Sequence, residues 1–301
     1  MSVELPAIAV ADAEVVEEEG RPPSAWRAVL SSAEGRIGVG VGAAVLFVIA
    51  FGRFFTPYPP DLVGVGPSTQ PPTGAHLLGT DSLGRDTLSR LLVGGTTIIL
   101  IPLIAVGLAW VIGGTLGMLG AYKGGRIDAL ITRAFDLLLS LPPLLIVLVA
   151  IAALGTSNVV LVIKIMLVYL PRMGRLVRGA AQGVITNEYV AAAQARGERT
   201  RAILFREVLP NIMAPTTADF ALRITYGVIF VATLNFLGLG VQPPKADWGV
   251  MVAEGRGFIN IDPVATLAPA AAIALLSIAL NLIADALTSH VTHRGREIVP
   301  I

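Results

Sequence analysis

The chain has 301 residues, of which 54% are hydrophobic and only 14% are Asp, Glu, Lys or Arg, against about 25% charged in soluble domains. A net charge of +1 supplies no broad field for nucleic acid, and the absence of cysteine excludes disulfides and thiolate-bound metal. The composition points to a polytopic membrane protein, and its apolar runs, taken in order, make it all-α.

Residues 1–36 read as a polar, cytoplasmic arm. "ADAEVVEEEG" is acidic where a secretory signal needs a basic start, and no apolar run follows before Ile37. A hydrocarbon core of ~30 Å takes about 20 helical residues. Six segments meet that length: residues 37–55; a stretch within the uncharged run Leu91 to Tyr122; about Phe135 to Leu154; about Val159 to Leu176; about Ile212 to Leu239; and about Pro263 to Ala284. The last five make up a core over residues 91–290, followed by a tail over 291–301. The runs are continuous and do not alternate apolar with polar, which argues against a barrel; backbone groups in lipid must then bond internally, so the spans are helices.

Charge sets the orientation. Lys123, Arg126 and Arg133 follow the second span, and Arg172, Arg175, Arg178, Arg196, Arg199, Arg201 and Arg206 follow the fourth. Arg294 and Arg296 stand in the tail, and Arg21, Arg27 and Arg36 in the arm. The opposite side holds only Arg53, Arg85, Arg90, Lys245 and Arg256. The bias places both termini in the cytoplasm. Residues 56–90 then form an extracytoplasmic segment. It is rich in Pro and Gly and is expected to be ordered with little regular structure until "LGTDSLGRDTLSR", where Thr80 or Asp81 is positioned to cap a short helix. A second outer loop covers 240–262, with Trp248 and Phe258 expected at the water–lipid boundary.

The cytoplasmic loop over 186–210 is unusual for its surroundings. In "EYVAAAQARGERTRAILFREVLPN", Ala191, Ala192, Ala193 and Ala195 favour helix. Thr186 or Asn187 can cap its start, with Glu188 near the positive end of the dipole. Gly197 breaks or bends it. Ile203, Leu204, Val208 and Leu209 then form an apolar stripe that Pro210 is expected to end. The pattern predicts two short helices at an angle outside the membrane, presenting a small-residue surface to a groove; an ordinary membrane-surface helix is the plainer reading.

Inside the spans, Asp219 and Arg223 stand four apart on one helical face and can pair, either lining a pathway or tying helices together. Lys164 either lines the pathway or snorkels. Pro142 and Pro143 are expected to kink the third span. The three histidines make no H-E-x-x-H pair.

The 188–211 stretch resembles the cytoplasmic loop of permease subunits of ATP-binding-cassette importers. That loop carries Glu-Ala-Ala, three residues, Gly, nine residues, Ile-x-Leu-Pro. Ala192, Ala193, Gly197, Leu209 and Pro210 fall on the pattern. Ala191 stands at its Glu position and Glu207 at its Ile position, while Glu188 in "EYV" matches the version of the peptide branch. "HLLGTDSLGRDTLSRLLVG", "FDLLLSLPPLLIVL", "LNFLGLGVQPPKADWGVMV" and "LNLIADAL" also resemble the dipeptide/oligopeptide/nickel permeases, specifically the second of their two permease subunits. The resemblance covers about residues 75–290.

It implies a type I importer permease fold in a bacterial plasma membrane, with the 186–210 loop as ATPase-coupling site. It also implies a second permease as heterodimer partner, two ATP-binding subunits or domains that use ATP and Mg, an extracytoplasmic binding protein, and no cofactor on this chain. The chain has no G-x-x-x-x-G-K-[ST] for ATP of its own. Two other readings stay open: a secondary transporter using an intramembrane carboxylate such as Asp219, and a non-transporting scaffold that recruits a soluble partner through the loop.

Overall fold

The computed structural model describes residues 29–297. The expected polar arm over residues 1–36 lies mostly outside this range. Helix α1, Ala33–Phe51, starts ahead of Ile37 because the Ser32 hydroxyl accepts a hydrogen bond from the Gly35 N–H at 3.0 Å. It tightens into a 3₁₀ turn over Gly52–Phe55. After residues 56–86 come α2, Thr87–Val93, and α3, Thr96–Lys123. Gly94 and Gly95 break these two helices, so the second span is entered through a short separate helix.

The third apolar run is not one straight helix. Helix α4, Gly125–Ser140, and helix α5, Pro143–Leu154, meet at 95°. The reason is local: Leu141 and Pro142 each precede a proline, are driven out of the helical region, and sit at ψ 133 and ψ 137. Helix α4 is amphipathic. Leu130 and Leu137 are 71% and 70% exposed, Phe135 is buried, and Asp128 and Asp136 pair with Arg178 and Arg175. Helix α5 alone is about 18 Å long at 1.5 Å per residue, short for a bilayer.

Helix α6, Asn158–Ile185, crosses α3 with the backbones nearly touching. A Cβ on Gly113 would lie 2.5 Å from the Leu170 carbonyl oxygen, and one on Gly117 would lie 2.3 Å from that of Gly174. Small residues four apart are what let membrane helices approach in this way. Helix α7, Glu188–Ala195, is the loop helix. Helix α8 runs unbroken from Thr200 to Phe236, then come α9, Trp248–Gly255, and α10, Pro263–Glu297. Helix α10 therefore extends through most of the expected tail.

The core gathers Ile98, Val106, Val147, Leu161, Ile165, Val228, Leu234, Trp248 and Leu276 from α3, α5, α6, α8, α9 and α10. Large apolar residues elsewhere, such as Leu100, Val149, Leu267 and Ile278, face outward. That is the inside-out surface of a protein solvated by lipid. Among the described residues four helices are long and apolar enough to cross a bilayer, and the bent α4–α5 pair would make five. Helix α6 has the length, but it carries Lys164, Arg172, Arg175 and Arg178.

Candidate functional site

The sequence places its strongest site on the loop between α6 and α8. Asn187 stands at the N-cap of α7 in extended conformation, though neither its side chain nor that of Thr186 bonds the helix start. Val190 and Ala193 are fully buried against Met118, Val177, Ala181, Ile203, Leu204, Val208 and Ile212. That packing leaves Glu188, Tyr189, Ala191, Ala192 and Ala195 exposed on the other face. One stripe of α7 is thus bolted to the bundle, and the face of small residues is bare.

Gly197 ends α7 at φ +74. Its N–H donates to the Gln194 carbonyl at 2.9 Å, and the Glu198 N–H donates to that of Ala193 at 3.2 Å. This is the paired C-terminal motif that needs a left-handed residue. Pro210 does not end a second short helix, contrary to the expectation. Residues Ile203–Val208 form a π-helical segment, with the Leu209 N–H bonded to Leu204 O, and the wider turn admits a proline that has no N–H and would clash with an ordinary i−4 carbonyl. Leu209 and Pro210 lie at the start of the α-helical part of α8, so the loop joins the membrane helix as one rod.

At the other end of the bundle is a charged cap that the sequence reading did not find. Arg85 is fully buried and donates through Nε to Asp81 (2.6 Å) and through a terminal nitrogen to Glu254 on α9 (2.7 Å). Buried Arg90 reaches Glu254 at 3.3 Å and the Pro244 carbonyl at 3.2 Å. Asp86, rather than Thr80 or Asp81, caps α2. It accepts from the Ser89 N–H at 2.8 Å and stands 2.9 Å from the His76 Nδ1. Residues 56–90 are therefore stitched to α9.

Asp247 caps α9 from a buried position, accepting from Asn235, Thr97, Gly249 and Val250. Burial pushes its carboxyl above the usual range, against the pull of those hydrogen bonds. Trp248 is 1% exposed, with its indole N–H donating to the Leu91 carbonyl at 2.7 Å, and so is a core residue and not a boundary anchor. Phe258 is 38% exposed. The available signal was the density of charge in "GTDSLGRD" within a chain otherwise poor in charge.

Inside the bundle Asp219 and Arg223 do pair, at 2.9 Å, and both are partly buried. Lys164 neither snorkels nor stands free: it is fully buried and its Nζ donates to the Leu239 carbonyl at 2.9 Å. Among the residues whose side chains are described no three His, Cys, Asp or Glu converge as metal ligands. These polar groups bind, cap and brace their neighbours.

The structure is a lipid-facing helical bundle with a charged cap over residues 56–90 at one end and a bare, anchored helix at the other, an architecture suited to a membrane subunit of a larger assembly. Residues 113–297 match the family described as the binding-protein-dependent transport system inner membrane component, and the chain belongs to that family. It is 37% identical over 241 residues to the probable D,D-dipeptide transport system permease protein of Escherichia coli (strain K12), covering 80% of this chain and 81% of that one. It is 34% identical over 271 residues, 87% of each chain, to the glutathione transport system permease protein of Pectobacterium atrosepticum. It is 37% identical over 249 residues, 81% of this chain and 82% of the relative, to the di/tripeptide transport system permease protein of Pseudomonas aeruginosa. It is a multi-pass, non-catalytic permease subunit of a larger transporter.

Proposed function

We propose that the chain forms, with a second permease, the translocation pathway of an ATP-binding-cassette importer for peptides or peptide-like substrates. In this reading the importer's two ATP-binding subunits or domains use ATP and Mg, and an extracytoplasmic protein delivers the substrate. The six expected spans, α6 and the α4–α5 pair included, cross the membrane with both termini in the cytoplasm. Glu188, Ala191, Ala192, Ala193, Gly197, Leu209 and Pro210 carry the coupling to the ATPases. The Asp219–Arg223 pair lies along the pathway, where a zwitterionic peptide meets both charges.

The observation that carries the reading is the construction of the 186–210 loop. A helix with one apolar stripe locked by Val190 and Ala193 and an alanine face left open is suited to insertion in a groove. The rigid continuation into α8 would carry a push from that groove to the span, which is how a ligand-driven change at one site biases a two-state element. The peptide class follows from the named substrates of the relatives.

The purified chain alone should show neither ATP hydrolysis nor uphill uptake, and both should emerge when it is reconstituted with its partner subunits. ATPase activity from the isolated chain would overturn the reading. Orientation is tested separately. The chain has no cysteine, and Ser68 is exposed on the outer segment, so Ser68→Cys should react with a membrane-impermeant maleimide in intact cells. Reaction only after permeabilisation would reverse the topology.

A further inference from the structure

Between the outer half of α1 and the outer half of α3 lies a cleft of about 1150 Å³, beyond the ~300–1,000 Å³ of sites for drug-sized molecules. Its lower walls are apolar, with Leu46 and Ile49 on α1 and Ile99 and Leu100 on α3. Its upper rim holds Arg53 and Lys245. From Leu46 to Arg53 the lining rises about 10 Å along α1 at 1.5 Å per residue, so the cleft passes from hydrocarbon depth to the polar boundary. Exposed Phe51 and Phe54 stand at the level of that boundary, where amphipathic and aromatic side chains collect.

The charges point to the occupant. Arg53 and Lys245 are exposed and form no ion pair among the described residues. The carboxylate lining the same cleft, Asp61, leans on Arg90 at 3.8 Å. The rim is therefore cationic above an apolar slot. A guanidinium presents a fork that fits two phosphate oxygens, and an ammonium beside it adds a point charge. Such a gradient over this depth matches one kind of molecule, an amphiphile with an anionic head.

We propose that the cleft binds an anionic phospholipid from the leaflet on the 56–90 side. One acyl chain lies between α1 and α3, and the phosphate lies between Arg53 and Lys245. The lipid then fills the gap between the first helix and the core and ties the outer cap, through Lys245, to the membrane surface.

The intact transporter, reconstituted in nanodiscs of phosphatidylglycerol and phosphatidylethanolamine and released into detergent, is the material for the test. Native mass spectrometry should find phosphatidylglycerol retained on this subunit under washing that strips phosphatidylethanolamine. Arg53→Gln with Lys245→Gln should lower retention about thirtyfold, the product of two cationic contacts at a lipid surface. Leu100→Trp, which leaves both cations in place and fills the slot, should lower it as well. Glycerol 3-phosphate should not compete, because it has no chain for the slot.

Equal retention in the double variant overturns the proposal. So does loss of the other membrane subunit from the double variant with lipid unchanged, which would make the cleft a protein interface. Competition by glycerol 3-phosphate would reduce it to a site for a free phosphate. None of these outcomes bears on the substrate or on the ATPases, so the proposal and the transport reading fail separately.

Discussion

Gly197→Val is expected to uncouple transport while leaving the chain in the membrane. The glycine sits at φ +74 with nothing within 4 Å of where a Cβ would be. The penalty is therefore one of backbone conformation and not of collision, roughly 1–2 kcal/mol for a residue with a Cβ and more for a β-branched one. The chain can relieve it only by giving up the bonds from Gly197 to Gln194 and from Glu198 to Ala193, which frays the last turn of α7. Val190 and Ala193 would still hold one stripe, so the bare alanine face would tilt while the spans stayed intact.

Uptake should fall on the order of tenfold at matched membrane levels, given that 1.4 kcal/mol is a factor of ten. Gly197→Asn should retain most activity, because asparagine tolerates the left-handed region. Arg199→Ala should change uptake less than about fivefold, since an exposed charge contributes ~0–1 kcal/mol. Normal transport by Gly197→Val together with failure of Arg199→Ala would make the loop an electrostatic surface helix.

The parts of this protein that could be read from its sequence are those governed by local rules. A bilayer requires long continuous apolar runs, so α1, α3, α8 and α10 announce themselves. The end of α7 could be read because a left-handed turn after an alanine helix calls for glycine at one position. Pro142 and Pro143 signalled a break, but its 95° size depends on the packing of Phe135 and the ion pairs of α4 to α6, which no window of sequence contains. The π segment ahead of Pro210 has the same apolar spacing as an α-helix over so few residues, so the proline read as a stop.

The charged cap over residues 56–90 was missed for a different reason. Arg85 and Glu254 lie 169 residues apart, and each alone looks like an ordinary charge in a loop. Trp248 illustrates the opposite error. Tryptophans near span ends usually mark the boundary, but here Gly94 and Gly95 remove two side chains from its pocket, and the ring closes over the α2–α3 break. Long-range packing converted an expected anchor into core, and two apparently exposed arginines into buried braces.

Those braces set the second large expectation, that Arg85→Met releases the 56–90 segment from α9. Arg85 is fully buried between Asp81 at 2.6 Å and Glu254 at 2.7 Å. Removing one partner of a buried ion pair costs about 3–5 kcal/mol, because the charge left behind has neither water nor a counter-ion. Glu254 keeps Arg90 at 3.3 Å, but Asp81 keeps only a looser approach to it at 3.5 Å. The least costly response is for the segment to swing into water and rehydrate Asp81. The midpoint of thermal unfolding should drop by several degrees, and protease added from the 56–90 side should cut within 56–90 in the variant but not in the wild type. Arg85→Lys should fall between the two, having the charge without the fork. Combining Arg85→Met with Asp81→Asn should recover part of the loss, since the neutral amide no longer needs a counter-ion while Glu254 stays charged beside Arg90. Wild-type melting and protease resistance in Arg85→Met would show that the cap is held by its apolar contacts and that the buried charges add nothing.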